Sequence, residues 1–195
     1  MPVSCAAIMQ EENETRLIAR LREGDADAFA LVYARHQERI FRYAYHLLGH
    51  REDADDVKQE TFVRAFEARE NFRNQCSITT WLLAICGNIC RDRIKSWERR
   101  QVRADGGLQG EITASPACAD PAKIVERADT QAIIRKALYG LPPSQREAIV
   151  LREIEGLTHQ EMAEVLGCTV AGAKLRAFRA RRVLQARVAI LLELE

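Results

Sequence analysis

LTHQEMAEVLGCTVAGAKLRAFRARR, residues 157–182, is the stretch on which the reading of this chain turns. Thr158 followed three residues later by Glu161 is a capping-box signature and opens a short helix that ends at Gly167. A tight turn, Gly167-Cys168-Thr169, then leads into a second helix from about Val170 towards Leu184 or beyond. Helix, tight turn and helix is the plan of a helix-turn-helix. On a helical wheel, Val170, Ala173, Ala177, Ala180 and Leu184 share one side and are expected to pack on the preceding helices. The other side carries Ala171, Leu175, Phe178, Arg179 and Arg182, with Lys174, Arg176 and Arg181 at its flanks. No acid stands between Val170 and Val188. Helix surfaces that serve only solubility mix the two signs. A face of one sign with apolar residues among its arginines suits duplex DNA, where arginine meets phosphate or guanine and Leu175 or Phe178 meets thymine methyl groups. The plainer alternative is a basic surface helix with no partner. Cys168 reads as a small packing residue and His159 as a solvated one.

Working outward, apolar residues recur at helical spacing before this motif, predicting helices over about 15–22, 26–48, 52–69 and 78–100. Turn signals separate them at Gly24-Asp25, Gly49-His50 and around Asn71-Asn74. From 104 to 121 the texture changes, because Gly106, Gly107, Gly110, Ser115, Pro116 and Pro121 interrupt any period. That composition predicts a flexible linker. Helical pattern resumes over 122–139, breaks at Gly140-Leu141-Pro142-Pro143, and resumes to about Ile154, with Ser144 and Glu147 as a second capping box. No strand, internal repeat or low-complexity tract is legible. The fold class is all-α: two small helical modules, 1–103 and 122–195, joined by the linker 104–121.

Composition agrees. Of 195 residues, 47% are hydrophobic and 29% charged, with only 10 Gly and 5 Pro, which disfavours disordered, collagenous and β-rich classes. Net charge is +1, so only the placement of charge can point to a partner. No apolar run approaches the ~18 residues that cross a bilayer, and no secretory signal is legible, so the expected location is the cytoplasm and no membrane insertion is expected. The six cysteines form no CxxC pair and are expected to stay reduced.

Two surfaces of the N-terminal module carry further chemistry. On the helix from Glu52, residues Ala54, Val57, Thr61, Phe62 and Ala65 share one side, while Glu52, Asp53, Asp56, Gln59, Glu60, Val63 and Glu67 share the other. That acidic face is either a solvated surface favoured by the helix dipole or a docking face for a basic partner helix. A third reading, Asp55, Asp56 and Glu60 as metal-binding acids of an all-α terpenoid synthase, needs a larger helical enclosure than this chain offers. On the helix from Ile78, residues Leu82, Ile85, Cys86, Ile89, Cys90 and Trp97 gather as a core stripe, and opposite run Trp81, Ala84, Asn88, Arg91 and Lys95. One aromatic, one amide and two cations in a stripe give single-stranded nucleic acid a stacking platform, an edge reader and phosphate contacts. The preceding loop adds Phe72, Arg73, Asn74 and Ser77. His46 with His50, and Cys86 with Cys90, have ligand-like spacing, but Gly49 ends one helix before His50 and the cysteines face the core, so no metal is expected.

The run Glu52-Asp53-Ala54-Asp55-Asp56-Val57-Lys58-Gln59-Glu60-Thr61-Phe62, with Thr80-Trp81-Leu82, Asn88 and Asp92-Arg93, resembles region two of bacterial sigma factors of the extracytoplasmic-function group. Leu141-Pro142-Pro143, Arg146, Leu151-Arg152-Glu153, Glu155-Gly156-Leu157-Thr158, Glu161-Met162-Ala163 and Arg176-Ala177-Phe178-Arg179-Ala180-Arg181 are similar to their region four. The resemblance implies a sigma factor without catalysis or cofactor of its own, which confers promoter recognition and melting on core RNA polymerase under the control of an anti-sigma factor. It implies that Asp53, Asp56, Gln59 and Glu60, with the neighbouring Val63, dock on the clamp helices of the largest polymerase subunit. The loop 72–77 and the helix bearing Trp81, Asn88, Arg91 and Lys95 would capture the melted minus-ten element. Arg152, the turn at Thr169 and the helix with Ala171, Lys174, Leu175, Arg176, Phe178, Arg179 and Arg182 would read the duplex minus-thirty-five element.

Two departures stand out from that pattern. Leu175 lacks the hydroxyl usual at its position, and Gly87 stands where an arginine is common. The rival reading is a helix-turn-helix regulator that is not a polymerase subunit, which leaves the acidic face and the Trp81 stripe unexplained. The modular layout predicts that limited trypsin digestion cuts first between Arg103 and Lys123 and releases two folded fragments, as read by mass spectrometry and circular dichroism. First cleavage elsewhere contradicts it.

Overall fold

A computed structural model of the chain describes residues 14–72, 75–104 and 130–193. Its N-terminal part consists of α1 (Glu14–Arg22), α2 (Ala26–Leu48), α3 (Arg51–Glu67) and α4 (Ile78–Ala104), with a 3-10 turn at Arg69–Asn71. Its C-terminal part consists of α5 (Thr130–Tyr139), α6 (Pro143–Ile149), α7 (His159–Leu166) and α8 (Val170–Glu193), and α6 runs on into a π-helical turn at Val150–Ile154. No strand occurs among the described residues. No helix among them is long and apolar enough to cross a membrane.

Local chemistry accounts for most of the boundaries. Asp25 caps α2 by accepting from the backbone N–H groups of Asp27 at 2.8 Å and Ala28 at 3.2 Å. The helix stops at Gly49, whose φ of 83° is the left-handed closure that glycine adopts without a Cβ clash. The helix expected over 52–69 ends earlier, its last residues tightening into the 3-10 turn. The expected capping box at α7 is present: Thr158 Oγ1 accepts from the Glu161 N–H at 3.3 Å, and Glu161 Oε2 accepts from the Thr158 N–H at 2.8 Å. That backbone bond, joined by the Thr158 hydroxyl, holds the Glu161 carboxyl below its ordinary range.

The second expected box is absent. Helix α6 instead begins with Pro143 and has no side-chain cap at its N-terminus. Glu147 does not turn back towards Ser144; it is buried against Tyr43 and Arg91. The expected linker lies outside the described residues apart from Ala104, the last residue of α4, and so do positions 122–129 of the expected helix 122–139.

The larger difference from the sequence reading is in packing. α2, α3 and α4 pack on one another through Val32, Ile40, Leu47, Val57, Phe62 and Leu82, and α6, α7 and α8 through Leu151, Met162, Val165, Ala173, Ala177 and Ala180. These groups form one continuous buried cluster, because α4 packs on α7 while α2 and α4 pack on α6. Polar contacts stitch the same seam. Arg146, buried on α6, donates to the Leu47 carbonyl at the C-terminus of α2 at 2.7 Å and to the Tyr139 carbonyl at 2.9 Å. Carbonyls at a helix C-terminus lack intrahelical donors, and a guanidinium supplies them while meeting the negative end of the helix dipole. The Tyr139 hydroxyl likewise donates to the Tyr45 carbonyl at 3.0 Å.

Thr158→Ala removes the capping oxygen of α7. It is expected to lower unfolding free energy by about 1 kcal/mol, measured by urea denaturation, with the native helical signal unchanged.

Candidate nucleic-acid interface

Helix α8 is held by small residues. Ala173, Ala177 and Ala180 are buried where α7 and α6 pack against it, so the backbones approach closely and the opposite side is pushed to the surface. Lys174, Leu175, Arg176, Phe178, Arg179 and Arg182 are all exposed there, and Ala171 joins them at the N-terminal end. Phe178 is 58% exposed and Leu175 46%, so two large apolar side chains stand among the cations of this face. Thr169 is exposed, and its Oγ1 accepts from the Gly172 N–H at 3.1 Å, which caps the helix. Val170, expected on the packing side, is half exposed because it lies at the first turn, before the alanine seam begins. Arg181 is paired with Glu153 at 2.5 Å. Arg152 is half-buried and donates to the Leu157 carbonyl at 2.7 Å, bracing the entry to α7.

On α3 the expected partition is found: Ala54, Val57, Thr61, Phe62 and Ala65 are buried, while Glu52, Asp56, Gln59 and Val63 are exposed and Asp53 and Glu60 half-buried. The acids are not bare. Arg93 of α4 lies 3.6 Å from Asp53, 3.7 Å from Asp56 and 3.4 Å from Glu60, and Arg64 pairs with Glu60 at 2.6 Å. Asp55 turns to Lys58 at 2.5 Å, and that bond holds its carboxyl below the ordinary range. Phe66, which the sequence reading passed over, is exposed beside Val63 with the Arg69 guanidinium 4.4 Å from its ring centre. Its spacing of three from Val63 is the signal that could have found it.

The stripe on α4 is only partly open. Asn88 and Lys95 are exposed, whereas Trp81 is half-buried and stacks on Phe72 with ring centres 4.7 Å apart. Phe72 itself is 3% exposed, which corrects its expected place among the DNA-contacting side chains: it supports the Trp81 ring from below. Ser77 Oγ accepts from the Thr80 N–H at 3.1 Å and so starts α4. Arg73 and Asn74 lie outside the described residues. Arg91 is engaged twice, donating to Asn88 Oδ1 at 2.5 Å and pairing with Glu147 of α6. Cys86 and Cys90 are fully buried on the core side of the same helix. Among the described residues no three His, Cys, Asp or Glu side chains are grouped to hold a metal ion.

Comparison with known proteins fits this geometry. Residues 32–101 match the family Sigma-70 region 2, and residues 131–184 match Sigma-70, region 4. The RNA polymerase sigma-H factor of Pseudomonas aeruginosa is 29% identical over 188 residues, spanning 91% of this chain and 94% of its own length. The ECF RNA polymerase sigma-E factor of Haemophilus influenzae is 27% identical over 184 residues, spanning 92% of this chain and 97% of its own. Among solved structures, the sigma factor RpoE of Bartonella quintana, in complex with the anti-sigma factor NepR, superposes with a TM-score of 0.64 at 25% identity, covering 83% of this chain and 97% of that one. CnrH, in complex with the cytosolic domain of CnrY, does so with a TM-score of 0.64 at 28% identity over 93% and 98% of the two chains. With a region-two match on the helices that bear the acidic face and the Trp81 stripe, and a region-four match on the helix-turn-helix, the chain belongs to the sigma-70 family as a sigma factor of the extracytoplasmic-function group, the class that directs RNA polymerase to promoters.

Proposed function

We propose that this sigma factor divides its work among the three surfaces by their chemistry, and the observation that carries this is their segregation onto three helices. The outer face of α3, with Asp53, Asp56, Gln59, Glu60 and Val63, docks on the clamp helices of the largest polymerase subunit. Arg93 sits beneath these acids and orders them, so their charge is presented in a fixed array. Val63 and Phe66 supply apolar contact at its edge.

The outer face of α8, with Thr169, Ala171, Lys174, Leu175, Arg176, Phe178, Arg179 and Arg182, lies in the major groove of the minus-thirty-five element. Arg152 acts from behind, through the loop that it braces. Trp81, backed by Phe72, is the platform for a base of the melted minus-ten element. Asn88 reads an edge, Arg91 and Lys95 hold phosphates, and Arg73, Asn74 and Ser77 are assigned contacts to the same strand. The protein works in the cytoplasm as a polymerase subunit and carries out no catalysis itself. The Bartonella quintana neighbour was solved with an anti-sigma factor, and we assign this chain a regulator of the same kind.

Asp56→Arg combined with Glu60→Arg is expected to abolish co-purification with core polymerase while leaving the helical circular dichroism signal intact; retained binding contradicts the docking role. A second experiment separates the two DNA roles. Arg179→Ala with Arg182→Ala removes duplex contacts worth on the order of 1–3 kcal/mol each where they reach bases, so promoter binding weakens. Trp81→Ala and Asn88→Ala spare duplex binding and impair opening. Permanganate footprinting on a duplex promoter and on a pre-melted one distinguishes them: pre-melting rescues the α4 variants and not the α8 pair. Equal rescue of both sets, or of neither, contradicts the assignment.

A further inference from the structure

Glu147 and Glu155 are carboxylates of the C-terminal module, buried at 3% and 7% exposure, and both are met by groups of the N-terminal module. Glu147 Oε1 accepts from the Tyr43 hydroxyl of α2 at 3.0 Å and pairs with Arg91 of α4. Glu155 Oε2 accepts from Arg39 Nε at 2.6 Å, its carbonyl accepts from Arg39 Nη2 at 2.7 Å, and Arg42 stands 3.8 Å from its other oxygen. Burial pushes the Glu147 carboxyl above its ordinary range even with Arg91 and Tyr43 beside it, so the carboxylate depends on those partners.

A second, independent feature lies at the same point. Gly87 is buried in the middle of α4. A Cβ built there would stand 2.8 Å from Glu147 Oε1, 3.0 Å from the Tyr43 hydroxyl and 3.2 Å from Arg91 Nη1. The absence of a side chain at 87 is what lets the carboxylate of α6 reach the surface of α4. Its binding there ties up Arg91, which in turn holds the Asn88 amide oxygen at 2.5 Å. Leu47, Ile94, Lys95, Pro143 and Ser144 line the groove beside the contact, which brings α6 up to the rest of the stripe.

We propose that Gly87, Tyr43, Arg91 and Glu147, seconded by Arg39 and Glu155, form an intramolecular lock that holds the C-terminal module against α4, occupies Arg91 of its single-strand face and so autoinhibits the free chain. The lock leaves two other surfaces free. On α3, Val63 is 58% exposed, and on α8 so is Phe178; within the stretch Asn88–Arg91–Lys95 it is Arg91, half-buried and paired with Glu147, that closure withholds, while Asn88 and Lys95 stay exposed. The consequence for DNA rests on the reading of that stretch as the single-strand face; the closure itself does not.

The test uses the full chain. Gly87→Ala places a Cβ inside the lock and also favours α4 as a helix, so it opens the modules without weakening their parts. Glu147→Ala removes the carboxylate. Small-angle X-ray scattering on the free chain reads closure as the radius of gyration, and fluorescence anisotropy with a degenerate single-stranded 12-mer reads access to α4. The expected result is a compact wild type and, in both variants, a larger radius with several-fold tighter capture of the 12-mer, since apparent affinity scales with the open fraction. A larger radius with unchanged capture supports the lock and overturns the single-strand reading of α4. An unchanged radius in both variants, with native circular dichroism, overturns the lock, as does a wild type that is already extended. Should either variant lose its helical signal, Glu155→Lys and its charge-swap partner Arg39→Glu decide: the lock predicts expansion in the single variant and compaction restored in the double.

Discussion

A carboxylate removed from water must be met by a cation or by hydrogen-bond donors, or it drives apart whatever buries it. Glu147 and Glu155 impose that condition on this fold. Each belongs to the short run between α5 and α7, and the direct ion pair of each is with an arginine of the other module. The C-terminal helices can therefore bury these acids only by docking on α2 and α4, where Arg39, Arg42, Tyr43 and Arg91 are placed. Arg146 adds the reverse bond, carrying a buried guanidinium from α6 to the end of α2. Charged groups at a seam are strong when all partners are present and costly when one is withdrawn. Such a seam is specific in register yet can be opened by changing a single partner.

The same logic explains how a chain of net charge +1 can present strongly charged surfaces. Its acids and bases are sorted rather than mixed. Lys174, Arg176, Arg179 and Arg182 are exposed on the outer side of α8, and acids ordered by Arg93 occupy the outer side of α3. At the module seam, buried carboxylates are cancelled by arginines that remain partly exposed to solvent. Bulk charge is silent about function here because each of these zones is balanced by another, whereas helical position is informative.

The helices were legible because their signals are local. Apolar spacing, the Thr158–Glu161 box and the breaks at Gly49 and Gly167 act within a few residues, so α2 and α7 fall close to where the sequence places them. The buried side of α3 and the alanine seam of α8 were legible for the same reason: a wheel needs no knowledge of the partner. The docking of the modules was not, because it depends on pairs far apart in the chain, Arg39 with Glu155 and Tyr43 with Glu147. Glu147 misleads in a specific way. Its spacing from Ser144 satisfies a capping rule, but Pro143 already starts the helix, and the glutamate is committed to a tertiary contact. Phe72 misleads likewise, since an aromatic in a polar loop looks exposed until the ring that it supports is in place.

Gly87 shows how such a conflict between local and tertiary demands is resolved. Judged by α4 alone, glycine in a helix interior costs about 1 kcal/mol relative to alanine, and the family pattern has a long cation at that position. Judged by the seam, a side chain there would force the Glu147 carboxylate to shift and crowd the Tyr43 hydroxyl. A weaker helix is tolerated because burial of Leu82, Leu83, Cys86, Ile89 and Cys90 on its core side holds it in place. On the proposed assignment of α4 to single-stranded DNA, a glycine in place of a cation also forgoes a phosphate contact of the kind proposed for Arg91 and Lys95. The remaining cation in that turn, Arg91, pairs with Glu147 in the closed arrangement, and in the proposed function it has a second task, meeting DNA when the modules are apart. One guanidinium cannot do both at once, so on this proposal closure and strand capture compete for the same side chain.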